Sequence, residues 1–179
     1  MDQRVTVTAA TDSDLDELAA VAAQTFPLAC PPAVSHENVA AFIAQNLTAD
    51  RFATYLRDPE RAVLIATVDG RIVGYAMMIR GVPDDPVVQE AVTVRPAVEL
   101  SKMYVLPDAH GSAVAAELMT AAVQRATEDG AAAVWLGVNQ NNRRAQRFYA
   151  KHGFSVSGTK TFLLGTHLEN DYVMLRVLA

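Results

Sequence analysis

Residues 99–123, ELSKMYVLPDAHGSAVAAELMTAAV, hold the pattern that points most directly to chemistry: a strand runs through a short Pro107–Gly111 loop into a helix N-terminus. Backbone N–H groups from Gly111 through Val114 and Ala115 to Ala116 point out of the first helical turn. The small side chains of Gly111, Ser112, Ala113 and Ala115 leave them uncovered, and the helix dipole adds positive potential. A pyrophosphate is a natural guest for such a cradle. The same residues also make a tight strand-to-helix turn packed against a sheet, and the loop alone leaves both readings open. Downstream, NQNNRRAQRFYAKHGF (residues 139–154) joins turn-forming asparagines to a helix carrying Arg143, Arg144, Arg147 and Lys151. Those cations could meet a phosphate or form a solvated face.

Other chemistries find little material. His36, His110, His152 and His167 lie far apart, no pair has zinc-ligand spacing, and Cys30 is the single cysteine, so no metal site is expected. Cys30 has no activating motif and reads as a small apolar residue in a reducing compartment. Twenty acidic side chains against 15 basic ones give a formal charge of −5, the wrong sign for general phosphate-backbone binding, so nucleic acid is not expected as a partner. The longest apolar run, around Ala131–Leu136, falls far short of the roughly 20 residues of a membrane span. MDQRVTVTAATDSDLDEL places acids where a secretory signal needs basic residues, and a cytoplasmic location is expected. With 179 residues, 51% of them hydrophobic, the chain reads as one domain, residues 1–179.

The elements that must position these residues follow from periodicity. Arg4–Ala9 reads as a half-buried strand, followed by a helix through Leu15, Leu18, Ala19, Ala22 and Phe26 that Pro27 should stop. Cys30-Pro31-Pro32 holds a loop, Ser35 looks like an N-cap, and Val39, Phe42, Ile43 and Leu47 make the apolar face of a second helix. Phe52, Tyr55 and Leu56 suggest a short third helix closed by Asp58-Pro59. Ala62–Val68 and Arg71–Arg80 flank Asp69-Gly70, the signature of a two-residue hairpin. Residues 81–93 are expected to form a long irregular connection that could lie beside the active site. Strand Ala97–Val105, helix Val114–Ala126 and strand Ala132–Val138 make a crossover that sets two parallel strands in an otherwise antiparallel sheet. Helix Arg143–Lys151 ends at Gly153, and strands Phe154–Leu164 and Asp171–Leu178 close the chain around Gly165.

The two chemical segments together resemble the GNAT N-acetyltransferase superfamily. That family's acyl-CoA loop reads Gln or Arg, two residues, Gly, one residue, Gly or Ala, after a Val-x-Pro-like strand end. Here the match is Val105-Leu106-Pro107 and then His110-Gly111-Ser112-Ala113-Val114-Ala115, with His110 in place of Gln or Arg and Ala113 in place of the first glycine. Asn142, Ala145, Phe148-Tyr149 and Gly153-Phe154 match the family's later element. The region Phe26–Pro59, Glu99-Leu100 ahead of Tyr104-Val105-Leu106-Pro107, and Asp171-Tyr172-Val173-Met174 are also similar to bacterial spermidine/spermine acetyltransferases. The resemblance implies an α/β (α+β) GNAT fold: a mixed central sheet of about six or seven strands, mostly antiparallel, with a parallel βαβ crossover at the acyl-CoA site and flanking helices.

It also implies a function: direct transfer of an acetyl group from acetyl-CoA to a primary amine of a small molecule, a polyamine among the candidates. An acyl-CoA-binding regulatory domain without turnover, or a transferase acting on a peptide or protein amine, are the alternatives. Met103, Tyr104 and Val105 would lie along the pantetheine arm. His110, Gly111, Ser112, Ala113, Val114, Ala115 and Ala116 would cradle the pyrophosphate, with Asn142 and Ala145 nearby. Tyr149 is expected as general acid toward the departing thiolate. Glu99 could deprotonate the incoming ammonium or be a solvated strand-end charge, and Asn142 could bind pantetheine, cap its helix, or do both. Acceptor specificity is expected from Pro27–Phe52, the Pro83–Pro86 loop and the turn bearing His167, Glu169, Asp171 and Tyr172. Family analogy makes a homodimer plausible.

Overall fold

A computed structural model describes residues 4–109 and 113–178. Strand β1 (Val5–Ala9) passes through a 3-10 turn into helix α1 (Leu15–Ala29). The entry is a capping box in which the Thr11 backbone N–H donates to Asp14 Oδ2 at 2.8 Å. Helix α1 carries Pro27 in its last turn instead of stopping there. The carbonyl that proline cannot serve belongs to Ala23, which is exposed and open to water. Ser35 and Thr48 cap helices α2 (His36–Asn46) and α3 (Ala49–Arg57) by accepting from Asn38 N and Arg51 N.

Strands β2 (Arg61–Val68) and β3 (Arg71–Arg80) form the expected hairpin, with Val68 opposite Arg71. Asp69 and Gly70 hold φ of 52° and 78°, the double left-handed geometry that favours this residue pair. The connection that follows contains a short helix the sequence did not reveal, α4 (Pro86–Ala91). Asp85 Oδ1 accepts from Val87 N at 3.0 Å, Pro86 occupies the first turn, and Val88 and Ala91 are buried. Strand β4 (Ala97–Val105), helix α5 (Val114–Glu128) and strand β5 (Ala133–Asn139) make the crossover. Helix α6 (Arg143–Lys151) and the hairpin β6 (Ser155–Leu164) and β7 (His167–Val177) complete the chain. Strand β7 begins four residues before the expected start at Asp171, because Leu164–His167 pairs across a two-residue turn.

Among the described residues the seven strands form one sheet in the order β1-β2-β3-β4-β5-β7-β6, in which β4 and β5 are the parallel pair. Period-two alternation sends Val63, Ile65, Tyr75 and Met77 to one face, where they pack with Leu18, Phe26 and Phe52 of α1 and α3. Leu64, Ala76, Val98, Leu136 and Met174 line the opposite face with Leu118, Met119 and Ala122 of α5. Helix α4 covers Trp135, Val173 and Leu175 in a separate cluster. The helices thus lie on both sides of the sheet, as a mixed α/β layer architecture requires.

Candidate active site

Two local features of β4 open the site. The parallel pairing with β5 covers only Ala97–Glu99 against Ala133–Trp135, and the two strands then diverge. Beyond Glu99, the β4 edge facing β5 has no strand beside it among the described residues. The second feature is a β-bulge. Met77 pairs with Lys102 while Met78 pairs with Leu100, so Ser101 is the extra residue on β4. Strict alternation would send Glu99 and Lys102, three apart, to opposite faces. With the bulge, both line the same side of the sheet.

A cavity of about 320 Å³ opens on the α5–α6 side of the gap, between Met103 and Val105 of β4, Ala115 of α5, and Ala145, Phe148 and Tyr149 of α6. Ala113 is the N-cap of α5 and has no side-chain oxygen to close the first turn. Asn142 caps α6, its Oδ1 accepting from Ala145 N at 3.1 Å, so the capping role raised by the sequence is present. The preceding turn is fixed by Gln146 Nε2, which donates to the carbonyls of Asn139 at 3.1 Å and Gln140 at 3.0 Å. Arg143, Arg147 and Lys151 are exposed; of the helix's cations, Arg144 reaches the cavity wall.

A second cavity of about 320 Å³ lies on the α1–α2 side, walled by Phe26, Cys30 and Phe42 above and by Glu99, Lys102, Gly137 and Asp171 of the sheet below. Ala29, Met103, Tyr104, Asn142, Ala145 and Tyr149 line both cavities, so the two meet at the strand gap. The hydroxyl-bearing ring of Tyr149 stands at that junction, in edge contact with Phe148 and Phe154. Burial pushes its phenol up to about 12, and it keeps its proton throughout the neutral range.

The second cavity holds three carboxylates, and their partners distinguish them. Glu169 accepts from Asn139 Nδ2 at 2.8 Å and meets His167 Nε2 at 2.6 Å. Asp171 faces Lys160 Nζ at 3.6 Å; burial and Glu169 raise its carboxyl while Lys160 opposes them. A Cβ on Gly137 would lie 2.8 Å from Lys160 Cε, so the missing side chain makes room for this pair. Glu99 has neither a side-chain hydrogen bond nor an ion pair among the described residues. Burial lifts its carboxyl above the ordinary carboxylate value, against the pull of Lys160, Lys102 and Arg61. Burial keeps the Cys30 thiol protonated as well, and it donates to the Phe26 carbonyl at 3.3 Å.

Met103, Tyr104, Val105, Ala115, Asn142, Ala145, Tyr149 and Glu99 are thus brought to one connected cleft. Val114 is not on its wall: its side chain is buried in the core beneath α5. Ala113 and Ala116 lie at the start of α5 without lining either cavity. His110, Gly111 and Ser112 lie outside the described residues. Of the expected specificity segments, Ala29, Cys30, Pro31 and Phe42 from Pro27–Phe52 and Glu169 and Asp171 from the terminal turn line the second cavity. The Pro83–Pro86 loop does not line either cavity, because α4 seats it over β6, where a Cβ on Gly158 would come within 2.5 Å of Ala91. Tyr172 also misses the cleft; alternation along β7 turns it to the opposite face. Lys102 and Lys160 escaped the sequence reading. A lysine three residues from Glu99 within the strand AVELSKMYV was the available signal for Lys102.

The described helices include none long and apolar enough to cross a membrane. The chain is 59% identical over 166 residues to an uncharacterized N-acetyltransferase of Mycobacterium tuberculosis, covering 93% of this chain and 99% of that relative. A Lactobacillus delbrueckii N-acetyltransferase, also uncharacterized, is 24% identical over 97% of this chain and 98% of its own. The fold is similar to that of a PaiA N-acetyltransferase of Thermoplasma acidophilum solved in complex with coenzyme A, with TM-score 0.75 and 17% identity over 98% of this chain and 99% of that one. An N-acetyltransferase of Staphylococcus aureus superposes with TM-score 0.69 and 18% identity over 98% and 99% of the two chains. Residues 23–154 match the model of the acetyltransferase (GNAT) family. With that match and a relative of this identity, the chain belongs to the GNAT acetyltransferase family.

Proposed function

We propose that this chain transfers the acetyl group of acetyl-CoA directly to the primary amine of a small molecule. The observation that carries the reading is the meeting of two cavities at Met103, Tyr104 and Tyr149 through the gap between β4 and β5. The apolar cavity on the α5–α6 side suits the pantetheine arm, laid along the open edge of β4 by Met103, Tyr104 and Val105. The first turn of α5, with Ala113, Ala115 and Ala116, suits the pyrophosphate. Acetyl-CoA supplies the acetyl group as an activated thioester.

The acceptor enters from the cavity holding Glu99. Glu99 takes a proton from the ammonium, the freed nitrogen bonds to the acyl carbon as the carbon–sulfur bond breaks, and Tyr149 donates a hydrogen bond to the departing sulfur. The second proton that the nitrogen sheds on becoming an amide passes through solvent to the freed thiolate. Among the described residues, Glu99 is the cleft carboxylate with no side-chain hydrogen bond or ion pair to its oxygens, which supports it as the base. The protonated, hydrogen-bonded Cys30 supports transfer without an acyl-enzyme. The test is thiol release from acetyl-CoA by purified protein with spermidine, lysine, a peptide N-terminus and an aminoglycoside as acceptors. Amine-dependent release is expected. Acetyl-CoA binding without release for any amine would favour the regulatory reading, and absence of binding would overturn the proposal.

A further inference from the structure

Resting on that reading, we infer that the acceptor carries an anionic group as well as its amine, and that Lys102 is the residue that selects for it. The charges in the second cavity are largely matched. Lys160 is committed to Asp171, and Glu169 is committed to His167 and Asn139. Glu99 and Lys102 remain, one carboxylate and one ammonium, neither with a side-chain hydrogen bond or ion pair among the described residues. The ammonium of Lys102 lies over the face of Phe42, 5.8 Å from its centroid, on the helix that roofs the cavity.

The bulge at Ser101 is what sets Lys102 on this face. Without it, a lysine three residues from Glu99 would be directed into the apolar layer under α5. A half-buried cation loses hydration, and burial lowers the proton affinity of Lys102 while Glu99 raises it. A carboxylate and an ammonium on one wall, attracted to each other but joined by no hydrogen bond or ion pair among the described residues, complement a dipolar guest: ammonium toward Glu99, anion toward Lys102. A polyamine would serve Glu99 but bring further positive charge against Lys102, an arrangement that like-charge repulsion disfavours.

The test compares acceptors that differ only in the anion. Thiol release is measured with an ω-amino acid ladder from glycine to 6-aminohexanoate, with the corresponding amides, with aminoalkylphosphonates and with spermidine. The wild-type enzyme is expected to show kcat/KM at least about tenfold higher for the best amino acid or aminophosphonate than for its uncharged counterpart, the size of one charge-assisted contact. The carboxylate and phosphonate arms report which anion is used. Lys102→Met is expected to collapse the ratio toward one, and Lys102→Arg to retain most of it. Preference for amides or spermidine overturns the inference while leaving the acetyltransferase reading intact, and no release with any amine overturns both. An unchanged ratio in Lys102→Met also overturns it. If Lys102→Met does not fold, as judged by thermal melting, Lys102→Gln takes its place, and an unchanged ratio in that variant overturns the inference.

Discussion

Tyr149→Phe removes a single oxygen from the wall shared by the two cavities. The ring sits 5.6 Å from Phe148 and 5.9 Å from Phe154, contacts that phenylalanine keeps, and the hydroxyl leaves no described partner orphaned. The stability change is therefore expected to stay below about 1 kcal/mol. The effect on chemistry follows from proton affinities. With the phenol at about 12 and an ordinary thiol near 8.5, complete transfer from Tyr149 to a thiolate is uphill by about 3.5 units, ~5 kcal/mol. The phenol then acts chiefly by a hydrogen bond to the developing negative charge on sulfur, worth ~1.5–3 kcal/mol, or about 10- to 150-fold in kcat. A thioester sulfur accepts weakly, so KM for acetyl-CoA should change little. Steady-state thiol release at saturating acceptor measures both constants. An unchanged kcat in a folded variant would refute the role, and a loss confined to KM would make Tyr149 a binding group.

Three further perturbations probe neighbouring parts of the site. Glu99→Gln should lower kcat/KM by about 10²- to 10⁴-fold and abolish the acid limb of its pH profile. That limb should lie above the ordinary carboxylate range, because Glu99 must be ionised to accept a proton and burial raises its pKa. Burial penalises the charged form, so the stability Glu99 contributes falls as pH rises through its raised pKa, and the glutamine variant should melt no lower at neutral pH. Gly137→Ala places a Cβ 2.8 Å from Lys160 Cε, whose flexible end must move off Asp171. Acceptor KM should rise by up to about fivefold, from an ion pair worth roughly 1 kcal/mol at most, and acetyl-CoA KM should hold. Gly158→Ala drives a methyl to within 2.5 Å of Ala91 and should cost about 1–3 kcal/mol by overpacking. Its specific activity should remain that of wild type, because α4 touches neither cavity.

Local rules carried much of the fold. Asp69-Gly70 announces its hairpin through backbone geometry alone, and the strand–helix–strand run from Ala97 to Val138 implies the parallel pair by handedness and connection length. Tyr149 and Asn142 were legible through the resemblance, whose later motif falls in one short stretch formed by a helix and its N-cap. The bulge at Ser101 was not, since it is defined by the partner strand: Met77 and Met78 of β3 fix where β4 gains its extra residue. That single irregularity decides which face Lys102 takes. The short α4 was hidden for a related reason, as its six residues gain their burial from Trp135 and Val173, far along the chain. The Lys160–Asp171 pair depends on a register between β6 and β7 and on the absent side chain of Gly137 across the sheet, none of which periodicity in one segment reveals.

In the proposed reaction the acetyl group moves directly from one cavity to the other. A single-turnover reaction of excess enzyme with acetyl-CoA and an accepted amine, quenched over time and weighed by mass spectrometry, follows that group directly. N-acetylated amine is expected to appear in step with free CoA, with the protein mass unchanged at every time point. Acetylated protein that forms and decays ahead of product, or CoA release without acetylated amine, would contradict it.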